Sequence, residues 1–311
     1  MDYNQRIVFM GTPEIAANVL QALIENGYNI VGVIAQPDKP IGRKKILEPV
    51  PTKKVALKHG IPVFQPYKIK LDYEFLKELK PDLIITLAYG QIVPQGVLDI
   101  PPLGCINLHG SLLPKYRGAA PIQYAIKNGD KITGVTLMEM IDKMDAGKMY
   151  AKKTIAISDD DNSSSLFNKI GECAKELILE TLPLYLEGKL NGEEQDESLV
   201  SFCPTIKPEE EHIPPCLKTY EFVNYVRFLA DQPGAYLLLD DLKFKIYKAK
   251  VYSNNKAYDN YKIIQADKNG LLLTCSDGVV QLLEIQKQGK NRMDYKSFIN
   301  GEKDILGKIL Q

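Results

Sequence analysis

Tryptophan is absent from the 311 residues, histidine occurs three times and cysteine five times. The cysteines show no C-x-x-C spacing and are odd in number, which argues against a disulfide framework. With so few histidines beside them, no metal site is expected. Charge of neither sign is in excess, since 39 Lys and Arg face 39 Asp and Glu. No global basic field therefore announces nucleic acid, and any such partner must be held by a local patch. No apolar run approaches the roughly 20 residues that span a bilayer. The first residues, with Arg6 and Glu14 bracketing a short segment, lack the pattern of a secretory leader. The expectation is a cytoplasmic protein with no membrane partner.

What is present is 45% hydrophobic and 25% charged residues, the balance of a globular chain long enough for two domains. Arg-Ile-Val-Phe-Met at 6–10 reads as a buried strand and Gly11 as a turn. Thr12-Pro13-Glu14 reads as N-cap, N1 proline and first-turn acid. Ile15, Val19, Leu20, Leu23 and Ile24 keep helical spacing up to Asn26-Gly27, and a second strand follows over 30–35. This βαβ unit implies a parallel sheet. NAD is not expected, because of the G-x-G-x-x-G fingerprint only Gly11 is present. Residues 36–51 read as a long polar loop in which prolines and Gly42 exclude regular structure, and Arg43-Lys44-Lys45 form a basic cluster. Asp82–Ala88 reads as a central strand that runs into Tyr89-Gly90-Gln91-Ile92-Val93-Pro94. Ligands of open α/β sheets bind beyond such strand ends.

The most informative stretch begins at Cys105 and runs through Asn107, His109, Gly110 and Ser111-Leu112-Leu113-Pro114 to Arg117-Gly118-Ala119-Ala120-Pro121. It starts as a buried strand, on which Asn107 and His109 project from one face. An amide can donate to a developing oxyanion and an imidazole can move a proton near neutral pH, so the pair suits acyl transfer. Asp142 and Asp145 lie in a later loop, Ile141–Gly147. Residues 163–187 read as a long helix, and 188–208 turn polar and irregular. Beyond them a helix near 220–230 and about five short strands suggest a small barrel of OB type. Lys243, Lys245, Lys248 and Lys250 fall at near-alternating spacing, which fits either a protected edge strand or an RNA-contacting face.

N-L-H-G-S-L-L-P-K-Y-R-G-A-A-P-I-Q resembles the signature of the folate-dependent formyltransferases, and its G-A-A-P-I-Q ending is most similar to their methionyl-tRNA branch. The resemblance covers nearly the whole chain. It implies a Rossmann-like, mostly parallel α/β domain over 1–188, a linker over 189–207 and an OB-like tRNA-binding domain over 208–311. It also implies 10-formyltetrahydrofolate as formyl donor and methionyl initiator tRNA as acceptor, with no metal and no covalent enzyme intermediate. By resemblance, Asn107, His109 and Asp145 are catalytic. Tyr89, Gly90, Gln91, Ile92, Ser111, Leu112, Leu113, Pro114 and Asp142 contact the folate, and Arg43, Lys44 and Lys45 contact tRNA. The chain departs from the family after the linker: Glu211-His212-Ile213-Pro214-Pro215 replaces an I-x-W step, and Pro233-Gly234-Ala235-Tyr236 stands for P-G-A-W. Arg117 is compatible with facing an anion or with anchoring its loop on acidic neighbours. A monomer is expected. The rival readings are a formyltransferase for an amino-sugar nucleotide or glycinamide ribonucleotide, a formyl-folate hydrolase, and a non-catalytic RNA-binding protein.

Overall fold

The computed structural model describes residues 3–41, 46–254, 256, 258 and 261–311. Two compact units account for the chain. The first comprises Met1–Pro121, Ile132–Ala156 and Phe167–Cys203, and the second Ile122–Lys131, Ile157–Leu166 and Pro204–Gln311.

In the first unit, β1 (Tyr3–Gly11) leads through α1 (Glu14–Glu25) to β2 (Tyr28–Ile34), and the two strands pair in parallel. Thr12 does not cap α1. Pro13 holds the cap position, and the Thr12 hydroxyl donates to the Tyr89 carbonyl at 3.0 Å, a neighbour that only sheet pairing supplies. Residues 36–51 are not the irregular loop expected from their prolines. β3 (Lys39–Ile41) and β4 (Ile46–Glu48) form an antiparallel hairpin, with Pro40 opposite Leu47. A two-stranded ribbon consists only of edges, where a missing N–H costs little.

The chain continues with α2 (Pro51–Lys58), β5 (Val63–Phe64), α3 (Phe75–Leu79), β6 (Leu83–Leu87), α4 (Gln95–Leu98), β7 (Cys105–His109) and β8 (Arg117–Gly118). α5 (Pro121–Lys127), β9 (Ile132–Glu139), β10 (Met149–Ala156), α6 (Ser163–Leu186) and β11 (Phe202–Cys203) follow. Seven strands form one sheet in the order β10-β9-β7-β6-β1-β2-β5; the five from β7 to β5 are parallel, β9 pairs antiparallel with β7, and β10 pairs antiparallel with β9. All five residues of β6 are buried, as are Ile7–Met10 of β1. Continuous burial marks strands covered on both faces, where each enclosed Val, Leu or Ile contributes about 1.5–3 kcal/mol. The carboxyl ends of β1, β2, β6 and β7 therefore lie along one edge of a rigid sheet.

In the second unit, α7 (Thr219–Leu229) precedes β12 (Ala235–Leu239), β13 (Leu242–Ser253), β14 (Ile263–Asp267), β15 (Gly270–Cys275), β16 (Gly278–Lys287), β17 (Met293–Asp294) and α8 (Tyr295–Gly301). The strands are antiparallel in the order β12-β13-β16-β15-β14, with β17 beside β16. The last residues tie the two outer strands together. Gly307 and Leu310 donate to the carbonyls of Ile263 and Tyr261, and the Gln311 amide donates to the Leu238 carbonyl. Register slips between Ile246 and Ala249 put a bulge in β13. Phe244, Ile246 and Ala249 consequently stay buried, while Lys243, Lys248 and Lys250 are exposed and Lys245 is half-buried. Without the bulge, the three-residue step from Lys245 to Lys248 would send the lysines to opposite faces. His212 and Tyr236, near the departures from the family pattern, stack on each other with ring centroids 5.0 Å apart.

Candidate active site

The site is built on β7. Asn107 pairs with Thr86 of β6 and Met138 of β9, so the strand end is held from both sides. Alternation puts Asn107 and His109 on one face. Asn107 is half-buried, and among the described residues its side-chain amide has no hydrogen-bond partner. His109 is buried, with Nε2 2.8 Å from the Tyr116 carbonyl oxygen. A carbonyl only accepts, so Nε2 carries the hydrogen and Nδ1 is the nitrogen that can gain or lose one. The Asp145 carboxylate stands 3.6 Å from Nδ1 through Oδ1, and its Oδ2 accepts from the Gly118 amide at 2.8 Å.

This last bond requires a glycine. Gly118 has φ +124°, and a Cβ there would fall 2.6 Å from the Cys203 carbonyl oxygen. That carbonyl belongs to β11, which pairs with β8. Asp145 itself has a left-handed backbone, φ +50°, an uncommon conformation for a residue with a side chain and one that surrounding contacts must hold.

The other residues singled out in the sequence fall in several roles. The turn from Ser111 to Pro114 is pinned by the Thr136 hydroxyl, which donates to the Ser111 carbonyl and accepts from the Leu113 amide. Leu113 packs against Met138 and Met149, and Leu112 is half-buried. The Tyr89 side chain lies in the apolar core, where burial pushes its hydroxyl up to about 12, while Gly90 and Ile92 are exposed. Gln91 spends its side chain on the 66–69 segment, accepting from the Ile69 amide and donating to the Pro66 carbonyl. Asp142 is exposed. Arg43, Lys44 and Lys45 lie outside the described residues.

The neck of the β3–β4 hairpin is described, and it is tied to the strand ends by a chain of bonds. Asp38 accepts from the Val50 amide at 3.2 Å, from Lys53 at 2.5 Å and from Gln65 at 2.8 Å. Gln65 also donates to the Gln36 carbonyl, and the Gln36 side chain donates to the Tyr89 carbonyl.

Reading the sequence missed Gln195 and Glu197. Gln195, only 8% exposed, donates from Nε2 to the carbonyls of Asp145 and Gly147, both at 2.8 Å, and accepts from Arg117 Nε at 3.0 Å. Arg117, 1% exposed, pairs with Glu197 at 2.8 Å through Nη2. Of the two roles open to Arg117, the anchoring one is realised. Nothing local could have flagged Gln195, since a glutamine in a polar stretch looks like any solvated residue. The thiols nearby are inert: burial pushes Cys105 up to about 12 and Cys203 to about 11, so neither supplies a thiolate near neutral pH. Among the described residues no group of three or more His, Cys, Asp or Glu could hold a metal ion. No helix there is long and apolar enough to cross a membrane.

The mostly parallel sheet of the first unit and the antiparallel sheet of the second are the fold of the formyl transferases. Residues 5–182 fit the formyl transferase family model, and 205–303 fit that of the formyl transferase C-terminal domain. The methionyl-tRNA formyltransferase of Lactobacillus gasseri is 42% identical over 298 residues, 95% of either chain, and that of Bacillus subtilis is 42% identical over 308 residues, 98% of this chain and 97% of its own. The fold is shared with HypX from Aquifex aeolicus, solved in complex with tetrahydrofolic acid (TM-score 0.67, 19% identity, 98% of this chain and 48% of that one). The chain belongs to the methionyl-tRNA formyltransferase family.

Proposed function

We propose that the protein transfers the formyl group of 10-formyltetrahydrofolate to the α-amine of methionyl initiator tRNA. Similarity to methionyl-tRNA formyltransferases along almost the whole chain supports the reaction, and the folate-bound HypX supports a folate donor. The roles rest on one observation, the His109–Asp145–Gly118 arrangement with the Asn107 amide that has no partner among the described residues.

The amine nitrogen bonds to the formyl carbon, and the bond from that carbon to the folate nitrogen N10 breaks. The amine loses one proton, N10 gains one, and nothing is oxidised or reduced. Asn107 donates to the oxygen that becomes anionic on the way; loss of one such donor typically costs about 2.7–4 kcal/mol. His109 takes the amine proton on Nδ1, and the N–H so formed faces Asp145, while the Tyr116 carbonyl keeps the ring from turning. His109 then returns a proton toward N10. The nucleophile is the substrate amine, so the buried thiols have no part. Main-chain groups of Tyr89–Ile92 and of the Ser111–Pro114 turn, with Asp142, flank the folate. Arg43, Lys44 and Lys45 neutralise acceptor-arm phosphates, and the lysines on the outer face of β13 extend that contact.

Single-turnover transfer from 10-formyltetrahydrofolate to charged initiator and elongator tRNA tests the proposal. Wild type is expected to formylate the initiator only, and His109→Ala to be slower by about 10²–10⁴-fold. Equal transfer to both tRNAs would remove the acceptor assignment. Near-normal turnover by His109→Ala would remove the proton role.

A further inference from the structure

We propose that Gln195 is a positioning residue for the Asp145 carboxylate, so that the 189–203 stretch, polar and irregular in sequence, is part of the catalytic machinery. The inference rests on the formyl-transfer reading above. Asp145 sits on a left-handed residue in an irregular loop, so no helix or strand holds its backbone. The loop has two carbonyls, of Asp145 and Gly147, to satisfy, and Gln195 binds both with the two hydrogens of one amide group. A planar amide with both donors engaged at 2.8 Å fixes the spacing of those carbonyls, and with it the direction from which the Asp145 side chain leaves the chain. Its remaining oxygen accepts from Arg117 Nε, which locks the amide against flipping and joins it to β8. β8 carries the Gly118 amide that binds Oδ2 of the same aspartate. Both the backbone and the carboxylate of Asp145 are thereby referenced to one short strand, and Oδ1 is left facing His109.

Gln195 touches neither His109 nor the face where the substrates meet, so it acts through Asp145. A misplacement of about 1 Å at a reacting group can cost on the order of 10²-fold in rate. Gln195→Met keeps the length of the side chain and removes all three bonds. The expected result is a kcat lower by about 10–10²-fold, with KM for folate and for tRNA within about twofold of wild type. In an Asp145→Asn background the same change should cost less than about threefold, because coupled groups fail together. Hydrogen exchange provides a readout independent of turnover: the Gly118 amide, held by Asp145 Oδ2, should lose protection in Gln195→Met while β1 and β6 amides keep theirs.

Full kcat in Gln195→Met, unchanged Gly118 protection, or equal losses in both backgrounds would overturn the positioning role. If Asp145→Asn alone were as active as wild type, the catalytic reading of Asp145 would fail instead, whatever exchange showed at Gly118.

Discussion

Residues 36–51 and 189–203 read alike in sequence, as polar stretches without apolar periodicity, yet the fold uses them in opposite ways. The first closes on itself as the β3–β4 hairpin and leaves Ile46 and Leu47 more than half exposed (56% and 64%). Its polar groups are spent on the neck, where Asp38 gathers three donors. The second sends Gln195 inward to satisfy the carbonyls of a loop from another part of the chain. A ribbon that pairs its own backbone has side chains left over for a partner. An irregular loop at an active site has backbone groups left over, and something must come to meet them.

The most severe way to break this contrast is Gly118→Ala. The new methyl would meet the Cys203 carbonyl in a backbone conformation that residues with side chains rarely adopt, pushing β11 from β8 and taking the Asp145 anchor with it. Single-turnover formylation should fall by about 10² or more, with circular dichroism unchanged; wild-type rates would show that the β8–β11 contact is dispensable. Arg117→Met comes next. It leaves the buried Gln195 oxygen without its donor, so denaturant unfolding should report a loss of about 1–3 kcal/mol, accompanied by a smaller drop in kcat than Gly118→Ala gives.

On the hairpin side, Asp38→Ala should raise KM for tRNA by about tenfold (~1.4 kcal/mol) and leave kcat and folate KM alone, because it frees the neck without touching β7. A fall in kcat instead would mean that the hairpin also shapes the catalytic edge. Burial works against the charged form of Asp38, but the hydrogen bonds from Lys53, Gln65 and Val50 and the Lys53 charge outweigh it and hold the carboxyl below its ordinary value. A depressed folded-state value means that its contribution is complete above the ordinary carboxylate range, about pH 4, and is lost as pH falls through the lower folded-state value. Protease cleavage at the neck should therefore be no faster at about pH 4 than at neutral pH and should rise only below it. The smallest effect is expected from Ile46→Ser with Leu47→Ser, which should change stability by no more than about 0.5 kcal/mol in a thermal melt. A larger loss would mean that the hairpin's apolar residues serve folding rather than contact.

Much of this was legible from residues alone. The βαβ opening, the central strand ending at Tyr89 and the shared face of Asn107 and His109 all follow from periods of two or 3.6 and from turn residues. The N-L-H-G-S-L-L-P run carried the family resemblance, and the loop at Asp145 was marked only through it. Thr12 shows where local rules stop. Its sequence context fits an N-cap, yet its oxygen accepts from the Gln36 amide while its hydrogen goes to the carbonyl of Tyr89, 77 residues away.

The sequence by itself determined the parallel sheet, the motif residues at its carboxyl edge and the family, because these depend on local periodicity and on a contiguous run of residues. Tertiary structure alone decided that His109 carries its hydrogen on Nε2, that Gln195 and Arg117 hold Asp145, that a bulge in β13 keeps four lysines off the buried face, and that the 307–311 tail ties the outer strands of the second unit together. Each of these depends on a donor and an acceptor from different elements meeting at 2.8–3.0 Å, or on a register between strands. Hydrogen-bond partners chosen across tens of residues leave no periodic trace along the chain.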